Sequence, residues 1–302
     1  MAADEPLRII VHLGAHKTAS THLQQALGRA RTALAARGVA LFLPEGLRRD
    51  GLRLTGCIAA PREDGGHAAM IRNAFAEAAR GARALLISEE NILGTAHNPA
   101  MIAREQFYPE AQARLARLAA LLPSGEVTMA LALRDPAGFL VSAYSQRLLA
   151  GTIESFEDFR GGLDPASLSW ADLVARLQGA MPQSRMLLWR YEDYPGIAGP
   201  ALTAMLGEEA ARQVQPGAGR AHQGLSAPAH EALMEEAAAL SSAGRDVARA
   251  RVQALRRRFG RDKGHPPLAL LDEAASARAA AAYAREVAQL AAQPGMRLLA
   301  EG

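Results

Sequence analysis

Leu7-Arg8-Ile9-Ile10-Val11-His12-Leu13-Gly14, followed by Ala15-His16-Lys17-Thr18-Ala19-Ser20-Thr21-His22, decides how this chain is read. Residues 7–14 are β-branched and apolar and end on glycine, the pattern of a buried strand. Leu23, Leu27, Ala30 and Leu34 then recur at helical spacing and Gly38 ends the run, so 20–36 read as a helix. A strand, a loop of small residues, a lysine, three hydroxyls and a helix start together form a cradle for a phosphate-like anion. Backbone N–H groups at a helix N-terminus point at the anion, and the helix dipole adds partial positive charge. Lys17 contributes a full charge, and Thr18, Ser20 and Thr21 contribute further hydrogen bonds. If Ser20 or Thr21 only capped the helix, one hydroxyl would do and no lysine would be needed.

Working outward, 39–43 read as a second strand stopped by Pro44, and 45–66 as a Gly- and Arg-rich loop. A helix near 67–80 leads to a strand at 83–89, and a helix at 106–122 to a strand at 127–134. Asp135-Pro136 opens another helix with proline in its first turn. Helices near 154–162 and 167–180 lead to a strand at 185–190. No strand is expected beyond it, and 227–292 read as helical, interrupted near 260–267. Strands separated by helices imply a three-layer α/β fold, a parallel sheet covered by helices on both faces. Residues 1–302 are expected to form one domain, with a core at 7–206 and a helical portion at 207–302. Ligands of such sheets bind at the C-terminal strand ends, so residues 14–22, 89–94, 134–146 and 190–194 are the ones to read for function.

Composition narrows the classes. The 302 residues are 49% hydrophobic and 22% charged, with a formal charge of +3, which suits a globular chain and argues against nucleic-acid binding. The single cysteine, Cys57, excludes an intramolecular disulfide framework and any multi-cysteine metal site, and suits a reducing cytoplasm. Two acids precede the first apolar run, unlike a secretory leader, and no apolar stretch is long enough to predict a membrane span. Of 34 basic residues only Lys17 and Lys263 are lysines. A lysine kept against an arginine background suggests a need for a compact ammonium. The eight histidines show no helical metal-ligand spacing, so no metal is expected.

An ATP- or GTP-binding loop would read G-x-x-x-x-G-K-[ST], whereas Lys17 follows Gly14 by three positions with no glycine immediately before it. The stretch Gly14 to Thr21, with Lys17, Thr18, the small Ala19, Ser20 and Thr21, instead resembles the 5′-phosphosulfate loop of sulfotransferases that use 3′-phosphoadenosine 5′-phosphosulfate (PAPS). Arg134-Asp135-Pro136, with Ser142 eight residues after the arginine, resembles the 3′-phosphate motif of the same family. A second, remote dianion needs its own cation and donor, and a guanidinium can meet two oxygens at once. The likeness covers about residues 7–194. It implies a P-loop-type sulfotransferase fold and transfer of a sulfuryl group from PAPS to an acceptor hydroxyl, or less readily an amine. Lys17 would stabilise the leaving oxygen. His16, Thr18, Ala19, Ser20, Thr21 and His22 would line the phosphosulfate, and Arg134 and Ser142 would hold the 3′-phosphate. The acceptor would be a small molecule, a sugar or a lipid headgroup.

Ser88-Glu89-Glu90-Asn91 closes the third strand. Adjacent strand residues point to opposite faces, so only one of the two glutamates is expected to face the cleft easily. The family pattern Ser-x-Glu-Asn lands on Glu90, which is the candidate general base, with His16 as its rival. Ser155 with Asp158 reads as a helix cap, and Trp189 and Tyr191 as core or edge aromatics. Residues 220–226 are a polar loop that would cap the next helix or fold over the nucleotide. The basic run 256–264 reads as a solvated helix end or a further 3′-phosphate contact. Two other functions compete. A small-molecule kinase using ATP and magnesium would need an acid at a strand end, such as Asp135, but has no need of Arg134 with Ser142. A non-catalytic nucleotide-binding protein would keep the cradle without Glu90 beside it.

Overall fold

In a computed structural model, residues 5–48, 52–60, 65–95, 101–103, 105–217 and 224–300 are described. Strands β1 (Arg8–Gly14), β2 (Val39–Phe42), β3 (Ala84–Ser88), β4 (Ile102–Ala103), β5 (Gln106–Phe107), β6 (Glu126–Leu133), β7 (Arg185–Arg190) and β8 (Met296–Leu299) follow in chain order. Six of them form one sheet in the order β2-β3-β1-β6-β7-β8, every neighbouring pair parallel. The short β4 and β5 pair antiparallel on their own.

Six of the seven residues of β1 and all five of β3 are buried, as expected of central parallel strands covered on both faces. On one face, Ile10, Leu86, Ala130, Leu187 and Trp189 share a core with Leu23 and Leu27 of helix α1 (Ser20–Arg29) and with Ile197 to Leu206 of the helix Tyr194–Leu206. The pleat sends Ile9, Val11, Leu85, Ile87, Met129 and Leu131, all buried, to the other face. Helices Ala111–Ala119 and Trp170–Ala180 pack against each other.

The order of strands fixes where the sheet opens. After β1 the chain passes to β2 on one side, whereas after β3 it crosses β1 to reach β6 on the other. Right-handed crossovers put these two connections on opposite faces, so the chain diverges at the C-terminal ends of β1 and β3. That is the switch point at which open α/β sheets leave a crevice.

Several boundaries differ from the sequence reading. The expected helix 20–36 is two helices, Ser20–Arg29 and Arg31–Ala35, separated at Ala30. The segment read as a loop at 45–66 contains helices Pro44–Arg48 and Leu54–Ala59, and Gly65–Ala79 begins inside it. The expected helix 106–122 is shortened to Ala111–Ala119, its first residues forming β5. A strand beyond residue 190 was not expected, yet β8 pairs with β7 at the edge of the sheet.

Backbone contacts group the chain into two compact units. The first comprises residues 1–134, 169–219 and 286–302 and contains the sheet. The second comprises 135–168 and 220–285 and is helical, with Pro136–Leu149, Phe156–Arg160, Ala227–Glu235, Ala237–Ala243 and Arg245–Arg258. Inside it the Tyr144 hydroxyl donates to the Glu154 carbonyl at 2.8 Å and meets His230 Nε2 at 3.0 Å, with Phe156 and Phe159 around the ring. Pro136 stands in the first turn of its helix and Ser155 caps Asp158, both as expected. Among the described residues no helix is long and apolar enough to cross a membrane.

Candidate functional site

The loop between β1 and α1 lies at the switch point. Gly14 has φ of +94°, and a Cβ added there would stand 2.8 Å from the Glu90 Cβ. Only glycine therefore lets the end of β1 pass this close to the turn after β3. Lys17 and Ala19 also adopt left-handed backbone, with φ of 62° and 66°, which costs free energy in a non-glycine residue. Ala19 precedes α1, and the helix starts with no side-chain cap. A capping role for Ser20 is thus not what the structure shows. The Ser20 and Thr18 hydroxyls both donate back to the Ala15 carbonyl, at 2.8 and 2.7 Å. Lys17 is half-buried in the same loop, and Thr21 half-buried one residue into the helix.

His16 is locked rather than mobile. Its backbone N–H donates to the Tyr108 hydroxyl at 3.0 Å, and that hydroxyl lies 3.1 Å from its own Nδ1. Its Nε2 meets Asn91 Oδ1 at 3.1 Å. The network closes with one assignment: Nε2–H donates to Asn91 and Nδ1 accepts from Tyr108. Burial pulls the His16 pKa down to about 4, against the opposing pull of Glu90. His16 is therefore a neutral, doubly bonded imidazole near pH 7, which weakens its candidacy as the base. His12, one turn of the pleat back, is also buried with its pKa lowered to about 4 by burial, bonded to Ser88 Oγ at 2.7 Å and stacked on Trp189.

The turn after β3 departs from the simple alternation rule. Glu89 is extended, but Glu90 opens a short 3₁₀ turn, Glu90–Ile92, so both side chains reach one guanidinium. Arg48, at the end of the helix after β2, grips the fully buried Glu89 with Nε and Nη2 at 2.8 and 2.6 Å. Its Nη2 also donates to Glu90 Oε1 at 2.8 Å. Gln24 of α1 donates to Glu90 Oε2 at 2.8 Å. The two carboxylates thus share one guanidinium, with Glu89 fully buried and Glu90 the partly exposed one. Burial raises the Glu89 carboxyl above the ordinary range. Burial pushes Glu90 the same way, but hydrogen bonding by Gln24 and the adjacent Arg48 guanidinium outweigh it and hold Glu90 below the ordinary range. Glu90 is thus a carboxylate at neutral pH. From below, Arg114 fixes the turn by donating to the Ile92 and Asn91 carbonyls at 2.9 and 2.8 Å.

Arg134 stands one residue past β6, the neighbour of β1. Its Nη1 donates to the Lys17 carbonyl at 2.6 Å, and its guanidinium lies over the Tyr191 ring at 4.5 Å. Its own carbonyl accepts from Trp170 Nε1 at 2.7 Å. Tyr191, read as an edge aromatic, is thus the platform under Arg134.

The first unit therefore brings together His16, Lys17, Thr18, Ala19, Ser20, Thr21, Glu90 and Arg134 at one edge of the sheet. His22 belongs to the scaffold. Its Nε2 donates to the Gly217 carbonyl at 2.8 Å and its Nδ1 meets the Tyr194 hydroxyl at 2.9 Å, leaving no ring N–H for an anion. Ser142 is a half-buried residue of Pro136–Leu149 in the second unit, and its role rests on the sequence motif. Within that unit the basic run closes Arg245–Arg258, with the Lys263 ammonium donating to the Arg257 carbonyl at 2.7 Å, a helix-end arrangement. In the loop at 220–226, Arg220 and His222 lie outside the described residues, while Ser226 caps Ala229. A cavity of about 540 Å³ opens at the opposite edge, by the N-terminal ends of β6 and β7, and none of the expected site residues lines it.

Sequence reading missed Arg48, Gln24 and Tyr108. Gln24 carried a weak signal, one turn into the helix after the cradle; the other two carried none. Comparison with known proteins finds no match among protein-family models, curated proteins or solved structures.

Proposed function

We propose that this protein transfers a sulfuryl group from PAPS to an acceptor hydroxyl, in a cytoplasmic setting and on a P-loop-type sulfotransferase fold. The observation that carries the reading is the 2.6 Å bond from Arg134 to the Lys17 carbonyl. It ties the cation expected at the 3′-phosphate to the loop expected at the 5′-phosphosulfate, after the adjacent strands β6 and β1. An anion in the cradle would draw on the loop amides and the Lys17 ammonium, and would turn the Thr18 and Ser20 hydroxyls away from Ala15.

In the proposed step an acceptor oxygen attacks sulfur in line with the bridging oxygen of the donor. The S–O bond to that oxygen breaks, releasing adenosine 3′,5′-bisphosphate, and Lys17 offsets the charge that develops on it. Glu90 accepts the acceptor proton. Its position against Gly14, beside the cradle, favours an enzyme over a passive nucleotide-binding protein. The kinase reading is weakened because Asp135 Oδ2 accepts the Gly138 N–H at 3.1 Å as a helix cap.

The test is ligand stabilisation. Adenosine 3′,5′-bisphosphate at about 100 times its dissociation constant is expected to stabilise the chain by about 2.7 kcal/mol, well above adenosine 5′-monophosphate at the same concentration. Equal shifts for the two nucleotides, or a strict preference for ATP with magnesium, would overturn the reading.

A further inference from the structure

Arg48 has no part in the motifs that suggest the donor, yet it is the hub of the acidic side of the site. Its fork is anchored on Glu89, which is completely buried and also accepts the Asn91 N–H at 2.9 Å. A planar guanidinium held at two points on one carboxylate has no rotational freedom left. Its Nη2 carries two protons, and the geometry directs one to Glu89 Oε1 and the other to Glu90 Oε1, at 2.6 and 2.8 Å. We propose that Arg48 is a positioning residue whose fork, braced on Glu89, holds the Glu90 carboxylate in place beside the Lys17 loop. This deepens the proposed transfer, in which Glu90 takes the acceptor proton, and rests on that reading only for the use made of Glu90.

Among the described residues, the titratable groups near Glu90 come from several elements. His16 and Lys17 come from the cradle loop, His12 from β1, Tyr108 from the segment after β5, and Glu89 and Arg48 from the turn and helix just described. His12 and His16 are held neutral near pH 7 by burial, and burial likewise keeps the Tyr108 phenol protonated. Arg48 is a permanent cation in direct hydrogen-bond contact with Glu90. It is also 41% exposed, so it can be exchanged without opening a hole in the core.

The proposal is tested on the full chain carrying ¹³C in the glutamate carboxyls, with Glu90→Gln identifying the Glu90 resonance. In Arg48→Gln the Glu90 titration midpoint is expected to rise by about one pH unit, the usual effect of losing an adjacent opposite charge. In Arg48→Lys it should rise by less, because one ammonium cannot span both carboxylates. An unchanged midpoint in Arg48→Gln overturns the proposal, and so does full restoration by lysine. If Arg48→Gln fails to fold because Glu89 is left buried alone, Arg48→Lys decides by itself: a raised midpoint supports the fork, an unchanged one refutes it. No nucleotide enters the titration. A failed donor reading and a failed role for Arg48 therefore give separate results.

Discussion

Two buried histidines should make the sheet unit sensitive to mild acid, and His16 offers the cleaner test. Its folded pKa is lowered to about 4 from 6.5 by burial, with only 6% of its surface exposed. Above pH 6.5 neither state is protonated at this site and no stability is lost. Between 6.5 and 4 the unfolded chain binds a proton that the folded one refuses, so stability falls as the pH falls. Below 4 both states are protonated and the loss is complete, at roughly 3 kcal/mol. Stopping at pH 5 captures about 2 kcal/mol of it. The assay is urea unfolding followed by tryptophan fluorescence. The chain has two tryptophans, Trp170 and Trp189, both buried in the first unit, so the signal reports the unit that contains His16. His16→Gln lowers stability at every pH by disturbing the bonds to Tyr108 and Asn91. Its loss between pH 7.5 and pH 5, however, should be smaller than that of the parent by about 2 kcal/mol. If parent and variant lose the same amount over that interval, the neutral, locked imidazole is wrong, and His16 returns as a proton acceptor.

Three further outcomes are expected. Tyr108→Phe removes the hydroxyl that serves both the His16 amide and Nδ1, leaving a buried N–H unpaired, and should cost about 1–3 kcal/mol in the same unfolding assay. Lys17→Ala should abolish transfer from PAPS while the fluorescence-detected transition persists, and Lys17→Arg should also be poor because a planar fork does not replace a compact charge at one oxygen; near-normal transfer in Lys17→Arg would remove that role. Arg134→Ala should weaken binding of adenosine 3′,5′-bisphosphate measured by calorimetry, whereas Glu90→Gln should leave that affinity nearly unchanged and lower turnover ~10²–10⁴-fold.

The parts of the site that could be read in advance are those whose chemistry is contiguous. Residues 14–22 carry their own strand, turn, cation and helix start, so a short window is enough. Partners drawn from far along the chain leave no comparable trace. His16 meets Tyr108 across 92 positions and Lys17 meets Arg134 across 117; neither contact was anticipated, although Lys17 and Arg134 each had a motif of its own. Arg48 was hidden for a different reason. Its helix, Pro44–Arg48, is five residues long, too short for helical periodicity to show and too short to be stable without tertiary contacts. In sequence it was one more arginine in a glycine-rich stretch. β8 was missed on similar grounds, since Met296-Arg297-Leu298-Leu299 is a four-residue edge strand with one buried position, and its form depends on β7 being beside it.

The two glutamates lie on one side for a reason local to the turn after β3. Alternation along a strand is a sound rule while the chain stays extended. It would have sent Glu89 and Glu90 to opposite faces. What overrides it is the change of backbone at Glu90, where the chain leaves β3 and tightens into a 3₁₀ turn whose first N–H groups need acceptors. Glu89 supplies one by accepting from Asn91. That local bond brings Glu89 Oε1 to the side on which Glu90 already lies. Two adjacent carboxylates on one side repel each other, and one of them is fully buried, so the arrangement requires a shared cation. The need for an arginine in this neighbourhood therefore follows from the turn. Which arginine meets it follows only from the parallel pairing of β2 with β3, which delivers the helix after β2 to the end of β3. The candidate base is in this sense set by the topology of the sheet as much as by the residues of its own motif.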